Sequence, residues 1–445
     1  LIYLSLSSHQ IFKNLKKVLI FFIFPLMSDS CNSRHFSWLM KSCFPNNQHP
    51  PPHHPTPIGT TTILPTGTTI AELPDDLLLE CLSRVTHSSL PSLPLVCCRW
   101  SLLLDSPTFH LLRHRHNLLR LTLFAVSVSD GALCTASYRL NNDCSWKICS
   151  FTPANDPVFE HGCFYSLFSH SRLSVIGRKI YVIGRTAMLR CDTWTGLVVP
   201  RQGPVFPRKK FAAAVVGGKI YVAGGCARAA AVEEYDPTRN TWSVVAKAPR
   251  KRYGCVGASV DGVFYVIGGL KLGGASGNEM LVARGSRASD AAHVYASSMD
   301  LYDTVNGVWL KTRSVPGGGC VVAACATAGE IYVLSSHAVE LSFWKFNGSR
   351  KSTGFGDWCR IKSPPLPAQV RLDSTVRFSC VGIGEKVVLV QVNGCIDDLL
   401  RRSGRIERGM KEGLVLVYDC VAGEWSRAAD LPEVIRRSAC VCVEC

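Results

Sequence analysis

The 445-residue chain is poor in charge: 18% of its residues are Asp, Glu, Lys or Arg, against roughly 25% in an average soluble domain. The charge it has is lopsided, with 33 acidic residues against 49 basic ones and a formal net charge of +16. Sparse charge combined with 47% hydrophobic residues excludes a mainly disordered chain, because such chains have too little apolar surface to offset the entropy of folding. Long hydrophobic runs are also missing. The run Val18–Phe24 is too short to cross a bilayer as a helix, so no membrane partner is expected. Catalytic signatures are absent as well: the chain holds no GxxxxGK[ST] loop, no GxSxG elbow and no HExxH helix. Lys219 follows Gly217-Gly218 but opens an apolar strand pattern, not a phosphate loop. The histidines do not cluster with carboxylates at ligand spacing, so neither a metal nor a cofactor is expected.

Cysteine is plentiful, with 21 copies, an odd number scattered along a long chain. Disulfide frameworks belong to short secreted chains, and many of these cysteines lie in apolar contexts such as Cys440-Val441-Cys442. They read as small buried hydrophobes in a reducing compartment, which points to the cytoplasm and/or the nucleus. Cys442-Val443-Glu444-Cys445 is a lone CxxC without a second pair at zinc spacing.

The first Met is Met27, and Lys13, Lys16 and Lys17 precede the apolar run in the manner of a signal peptide. Residues 1–26 are read as an upstream segment outside the native protein. Residues 27–71 form a Pro/Thr/His-rich arm with Pro45, Pro50, Pro51, Pro52, Pro55 and Pro57, a composition that gives an extended linker and no core. His49, His53 and His54 belong to that solvated arm.

Residues 72–116 are denser. Pro74 suits the first turn of a helix, and Asp75 and Asp76 favour its positive end. Leu78, Cys81, Leu82 and Val85 recur at helical spacing and predict a buried face. A second apolar segment runs from Leu93 to Leu104, and Asp105-Ser106-Pro107 leads into a third helix at Thr108-Phe109. A module of about 40 residues rarely stabilises itself alone, and its surplus of large apolar side chains predicts a partner surface. Leu73-Pro74, Asp76-Leu77, Leu82, Val96-Cys97, Trp100 and Phe109 fall in register with the pattern LPxDLxxxIL…VCxxW of the F-box, which the segment resembles. The resemblance implies a trihelical domain that docks the SKP-type linker subunit of a cullin ubiquitin ligase. Leu73, Pro74 and Leu77 would be buried against the linker, with Leu82, Val96, Cys97 and Trp100 joining or supporting that surface.

The rest of the chain is punctuated by Trp146, Trp194, Trp242, Trp309, Trp358 and Trp425, spaced by 48, 48, 67, 49 and 67 residues. A period near 50 with two insertions is the signature of a propeller blade. Lys179-Ile180-Tyr181-Val182-Ile183-Gly184 returns as Lys219–Gly225 and Val263–Gly269, runs apolar on both faces and closed by glycine. Tyr235-Asp236, Tyr302-Asp303 and Tyr418-Asp419 each precede Trp by seven residues, which predicts a turn that sets Trp on the next strand. These residues resemble the kelch family. The expected fold is mainly β: a small trihelical F-box followed by a six-bladed β-propeller over residues 118–445. Leu121–Phe124 begins as a second strand with no first, and residues 436–443 end as a first strand with no second. One C-terminal strand would therefore complete the N-terminal blade and close the ring.

Residues 121–445 hold 39 basic and 27 acidic side chains, +12 of the +16. Blade topology puts the loops between second and third strands on the same side as the connections between blades. Both insertions, residues 270–297 and 393–412, are of the first kind. Arg208, Lys209, Lys210, Arg250, Lys251, Arg252, Arg436 and Arg437 lie in the second, while Arg401, Arg402 and Arg405 lie in the later insertion. A shared basic face would concentrate an acidic partner; by resemblance, Arg208 and Arg250 match a position that lines the recognition pocket of kelch substrate receptors. Nucleic acid is a weaker expectation, since no recognised module or aromatic-interleaved basic motif is present. The chain thus reads as a non-catalytic substrate adaptor of the type common in plants, with SKP-type linker, cullin scaffold and an unknown target as partners. A scaffold without ubiquitin transfer is the alternative. A propeller enzyme is less favoured, because no ExxxDxxxH run of the metal-assisted kelch enzymes is found.

Overall fold

A computed structural model describes residues 70–129, 132–140, 143–153, 164–272, 295–337, 340–349, 356–366, 376–394, 396 and 413–444. Residues 1–69, which hold the upstream segment and nearly all of the Pro-rich arm, lie outside the described residues, as do most of both long insertions. The chain divides into two compact units at Leu119/Arg120.

In the first unit, helix α1 (Asp75–Ser83) starts behind Pro74, which takes the N-cap position and not the first turn. The second apolar segment divides into two. Residues His87–Leu95, with Pro91 and Pro94 inside, wind as a 3₁₀ helix, since proline leaves the longer α-helical ladder without its N–H donors. Helix α2 (Cys98–Leu104) then starts afresh from extended Cys97. Helix α3 (Pro107–Arg115) has Pro107 in its first turn, and Ser106 accepts the Phe109 N–H, the usual capping arrangement. Leu78, Leu79, Leu82, Leu90, Leu93, Trp100, Leu104 and Phe109 are buried together with Arg113. The Arg113 guanidinium donates to the carbonyls of Ser83, Val85 and Leu118 at 3.0, 2.9 and 3.0 Å. It thereby satisfies carbonyls at the end of α1 that have no helical partner.

The second unit contains six antiparallel blades, four of them four-stranded; blade 2 adds the short parallel strand Thr152–Pro153 beside Leu197–Arg201, and the fourth strand of blade 4 is divided into Val308–Trp309 and Arg313–Ser314. Numbered by their second strands, these strands are Leu121–Ser129, Lys179–Ile183, Lys219–Ala223, Val263–Ile267, Glu330–His337 and Lys386–Asn393. They carry the most buried residues of the unit, Ile180, Val182, Ile220, Val222, Tyr265 and Val387 among them, because both of their faces meet neighbouring blades. The expected closure is present. The C-terminal strand Ala439–Glu444 pairs antiparallel with Leu121–Ser129, with Leu123 opposite Cys442, and becomes the inner strand of blade 1. Glycine decides where second strands end. In blade 3, Gly224 and Gly225 at φ +76° and +71° stop the strand after five residues. In blades 5 and 6 Ser335 and Gln391 replace such glycines, and the second strands run on for eight residues.

The aromatic punctuation has a simple geometry. Tyr235, Tyr302 and Tyr418 end third strands directly opposite Trp242, Trp309 and Trp425 on fourth strands, with ring centroids 5.2, 5.1 and 5.1 Å apart. Phe346 and Trp358 repeat the pair at 4.9 Å in blade 5, and Tyr138 and Trp146 at 5.2 Å in blade 1. The Asp that follows Tyr shapes the turn: Asp236, Asp303 and Asp419 each accept two backbone N–H groups from the next residues, an Asx turn. Four of the indoles also tie one blade to the one before it. Trp242, Trp309, Trp425 and Trp146 donate Nε1–H to the carbonyls of Gln202, Lys247, Lys362 and Ala429 at 2.7, 2.8, 2.7 and 2.8 Å. The last of these crosses the seam between blades 6 and 1. Trp194 departs from the expectation: in blade 2 Cys191 faces Val198 at the paired position, and Trp194 lies within the turn beneath Arg178, 4.4 Å from the guanidinium.

Candidate partner-binding surfaces

The first unit cannot hide all of its apolar side chains. Helix α1 exposes Leu77 (52%) and, one turn on, Cys81; helix α2 exposes Cys98 and, one turn on, Leu102 (73%). Leu95 before α2 is also exposed. Arg99 brings these elements together, donating Nε–H to Asp75 Oδ1 at 2.8 Å and Nη2–H to the Leu73 carbonyl at 2.5 Å. Of the residues expected to meet a linker, Pro74, Leu77 and Cys97 are exposed, while Leu73 and Val96 are half-buried. Of the two roles expected for Leu82 and Trp100, joining the surface or supporting it, only the second is open to them. They are buried inside the unit itself, because α1 and α2 turn them inward to form its core. Cys81 differs from expectation, outside the face it was expected to bury.

On the propeller, the basic residues separate into two sets. Arg208 and Arg252, each 1% exposed, are internal braces and not part of an accessible face. Arg208 donates Nε–H to Glu233 Oε1 at 2.7 Å, Nη1–H to the Gly224 carbonyl at 2.6 Å and Nη2–H to the Ala231 carbonyl at 2.7 Å. Arg252 repeats the arrangement one blade on, with Asp300 Oδ2 at 2.8 Å, the Gly268 carbonyl at 2.8 Å and Ser298 Oγ at 2.9 Å. A buried guanidinium persists only when a carboxylate and carbonyls replace its water. Both blades that end their second strands in Gly-Gly use this brace, since the bare glycine carbonyl is one of its acceptors. The equivalence of Arg208 is therefore with Arg252, not with Arg250, despite the similar text Pro207-Arg208-Lys209 and Pro249-Arg250-Lys251. Arg250 is half-buried and lies 3.3 Å from Asp300 Oδ1, and Lys251 donates to the Ala227 carbonyl at 3.1 Å.

Lys209, Arg436 and Arg437 are exposed and Lys210 is half-buried. Arg401, Arg402 and Arg405 lie outside the described residues. Three residues that the sequence motifs do not mark, His170, Arg172 and Arg377, lie beside Lys209 and Lys210: Arg377 is exposed, and His170 and Arg172 are half-buried. Arg172 begins the inner strand of blade 2 and donates to the carbonyls of Phe211 and Cys255, at 2.7 and 2.9 Å, ahead of the inner strands of blades 3 and 4. Burial, followed by the nearby charges of Lys209, Lys210, Arg377 and Arg172, pushes the His170 pKa down to about 4. Burial and the charges of Arg377, Lys209 and Arg172 likewise lower that of Lys210. The signal that could have found these residues is their register at the entrance to inner strands, which single-residue motifs do not show.

Among the described residues, no group of three or more His, Cys, Asp or Glu is placed to hold a metal ion, and no helix is long and apolar enough to cross a membrane.

Comparison with known proteins follows the same division. Residues 70–112 match the F-box domain model and residues 207–249 match the Kelch motif model. The Arabidopsis thaliana F-box/kelch-repeat protein At5g26960 is 59% identical over 428 residues, which cover 94% of this chain and 100% of that protein. A second Arabidopsis thaliana relative, F-box/kelch-repeat protein At1g67480, is 25% identical over 219 residues, covering 45% of this chain and 54% of its own. With residues 70–112 matching the F-box domain, residues 207–249 matching the Kelch motif and an F-box/kelch-repeat relative 59% identical over 94% of this chain, the chain belongs to the F-box/kelch-repeat protein family.

Proposed function

We propose that the protein is a substrate-recognition adaptor of an SKP–cullin–F-box ubiquitin ligase, its F-box docking the linker and its propeller holding a target protein. The observation that carries the reading is the exposure of Leu77 and Leu102 on an F-box whose core is otherwise complete. Large exposed apolar side chains of this kind mark a protein interface. The adaptor contributes proximity: holding a target beside a loaded conjugating enzyme raises the effective concentration of its lysines. The ubiquitin chemistry then belongs to the other subunits, and the adaptor works in the cytoplasm or nucleus.

Co-purification tests this. The full chain should retain an SKP-type linker and, through it, a cullin, whereas Leu77→Asp/Leu102→Asp should lose both with an unchanged propeller melt. A wild-type chain that captures no such linker would leave the propeller a scaffold without ubiquitin transfer.

A further inference from the structure

The six blades can be superposed on the ladder between their inner and second strands. Arg172, Ala212, Ser379 and Ala439 then occupy one position, opposite Ile183, Ala223, Val390 and Val126. Two residues ahead of it stand His170, Lys210, Arg377 and Arg437. These four come from blades 2, 3, 6 and 1, which are consecutive around the ring, so the position traces an arc of basic side chains at the entrance to the inner strands. Arg172 and Lys209 thicken it. Blade 4 supplies Gly254 at the same position, and a Cβ there would meet nothing within 4 Å. The rim is thus basic over four blades and carries a glycine at blade 4.

Three observations show that the arc is not an ordinary solvated edge. Lys210 and Arg437 hold φ at +54° and +52°, a left-handed conformation that costs a non-glycine residue roughly 1–3 kcal/mol, where blade 4 uses glycine. The side chains act on one another: Lys209, Lys210, Arg377 and Arg172 all disfavour the charged form of His170. The described contacts of the rim are also with neutral groups. Lys210 Nζ lies 5.4 Å over the Tyr253 ring, Arg437 donates to Tyr165 Oη at 3.2 Å, and Arg172 donates to two carbonyls. By contrast, Arg208 and Arg252, a few residues away, are each neutralised by a buried carboxylate.

Like charges gathered along one rim and held in part against backbone preference are stabilised by an incoming anion. We propose that this rim seats an anionic side chain, a carboxylate or a phosphate, of a protein that lies across the mouth of the propeller, with the rest of its chain passing over Gly254. The proposal rests on the adaptor reading above and names the chemistry of its target site: one anionic group at the arc formed by Arg377, Arg437, His170, Arg172 and Lys210. The charge excess noted in the sequence thereby has a location that its basic clusters alone did not indicate.

The test is a library of 15-residue peptides with Glu, phosphoserine or Gln at the centre of randomised flanks, panned on the full chain bound to its linker. Enrichment of Glu or phosphoserine over Gln is expected, and which of the two dominates identifies the source of the anion. Lys210→Gln/Arg377→Gln should weaken the selected peptides by about tenfold or more, the loss expected when one charge-assisted contact is removed. Arg239→Gln, an exposed basic residue in the turn between the third and fourth strands of blade 3, away from the entrance to the inner strands, should leave them unchanged. Lys210→Gly/Arg377→Gln, with the left-handed position relieved, guards against a folding artefact. Equal recovery of Gln peptides, equal affinity for the double variant, or tighter binding of a dT15 oligonucleotide than of any acidic peptide would overturn the proposal. Linker capture in the same preparation keeps that failure separate from failure of the adaptor reading.

Discussion

Replacing Arg208 by Ala should damage the fold of the propeller, not a binding surface. The change leaves the Glu233 carboxylate with its side chain fully buried and without its cationic partner, and the Gly224 and Ala231 carbonyls lose a donor. Removing one member of a buried pair typically costs about 3–5 kcal/mol, because the other charge stays in a low-dielectric site. With roughly 2–4 °C per kcal/mol in domains of 150–250 residues, the propeller of Arg208→Ala should melt about 6 °C lower or more. Thermal unfolding of the full chain by circular dichroism is the assay. Lys209→Ala is the control, since an exposed neighbour outside such a network is expected within about 0.5 kcal/mol of wild type. Arg208→Met/Glu233→Met should recover part of the loss, as apolar replacement of both partners removes the unpaired charge. An Arg208→Ala propeller that melts within about 1 °C of wild type would refute the internal-brace reasoning and return Arg208 to the surface.

Deleting residues 434–445 removes the inner strand of blade 1 and exposes the Leu121–Ser129 edge; the truncated protein should aggregate by light scattering and lose its cooperative melt, and an unchanged transition would contradict ring closure. Trp100→Ala should cost the F-box about 3–5 kcal/mol by emptying its core, so linker capture and F-box helicity fall together, whereas Leu77→Asp should abolish capture with helicity intact. His170 gives a pH dependence of definite sign. Its pKa is depressed from 6.5 to about 4 in the folded protein, so the unfolded chain binds more protons between those values and stability falls as pH drops below 6.5. After allowance for solvent screening of a half-exposed group, the loss by pH 4 amounts to about 1 kcal/mol. Denaturant titrations should show it in wild type and not in His170→Asn.

The parts of the fold legible in the sequence are those set by periodicity. Alternating apolar runs, the Tyr-Asp turn and the seven-residue step to Trp are local, and the ladders pair Tyr235, Tyr302 and Tyr418 with the expected indoles. The unmatched ends at Leu121 and Cys440 were readable too, because a strand without a neighbour must find one. What the text could not give was the depth of a side chain. Pro207-Arg208 and Pro249-Arg250 look alike, yet Gly224 and Gly268 fix the buried position at Arg208 and Arg252, two residues past the apparent match. Trp194 shows the same limit: its spacing agrees with the period, but the turn at Asp192 closes before it reaches a strand. In the F-box, helical spacing put Cys81 inside, and the resemblance left open whether Trp100 joins or supports the partner surface, whereas three short helices pack around Trp100 and leave Cys81 out. Residues such as His170 and Arg377 carry no motif, and only the inner-strand register brings them to one rim.

The central claim is that one chain couples a linker through its F-box to a target through its propeller, and target turnover tests it most directly. Proximity labelling by the full chain should identify proteins that accumulate when Leu77→Asp/Leu102→Asp replaces wild type, remain bound to the variant, and lose their polyubiquitin. Propeller-bound proteins whose abundance and ubiquitylation are the same with either chain would contradict it.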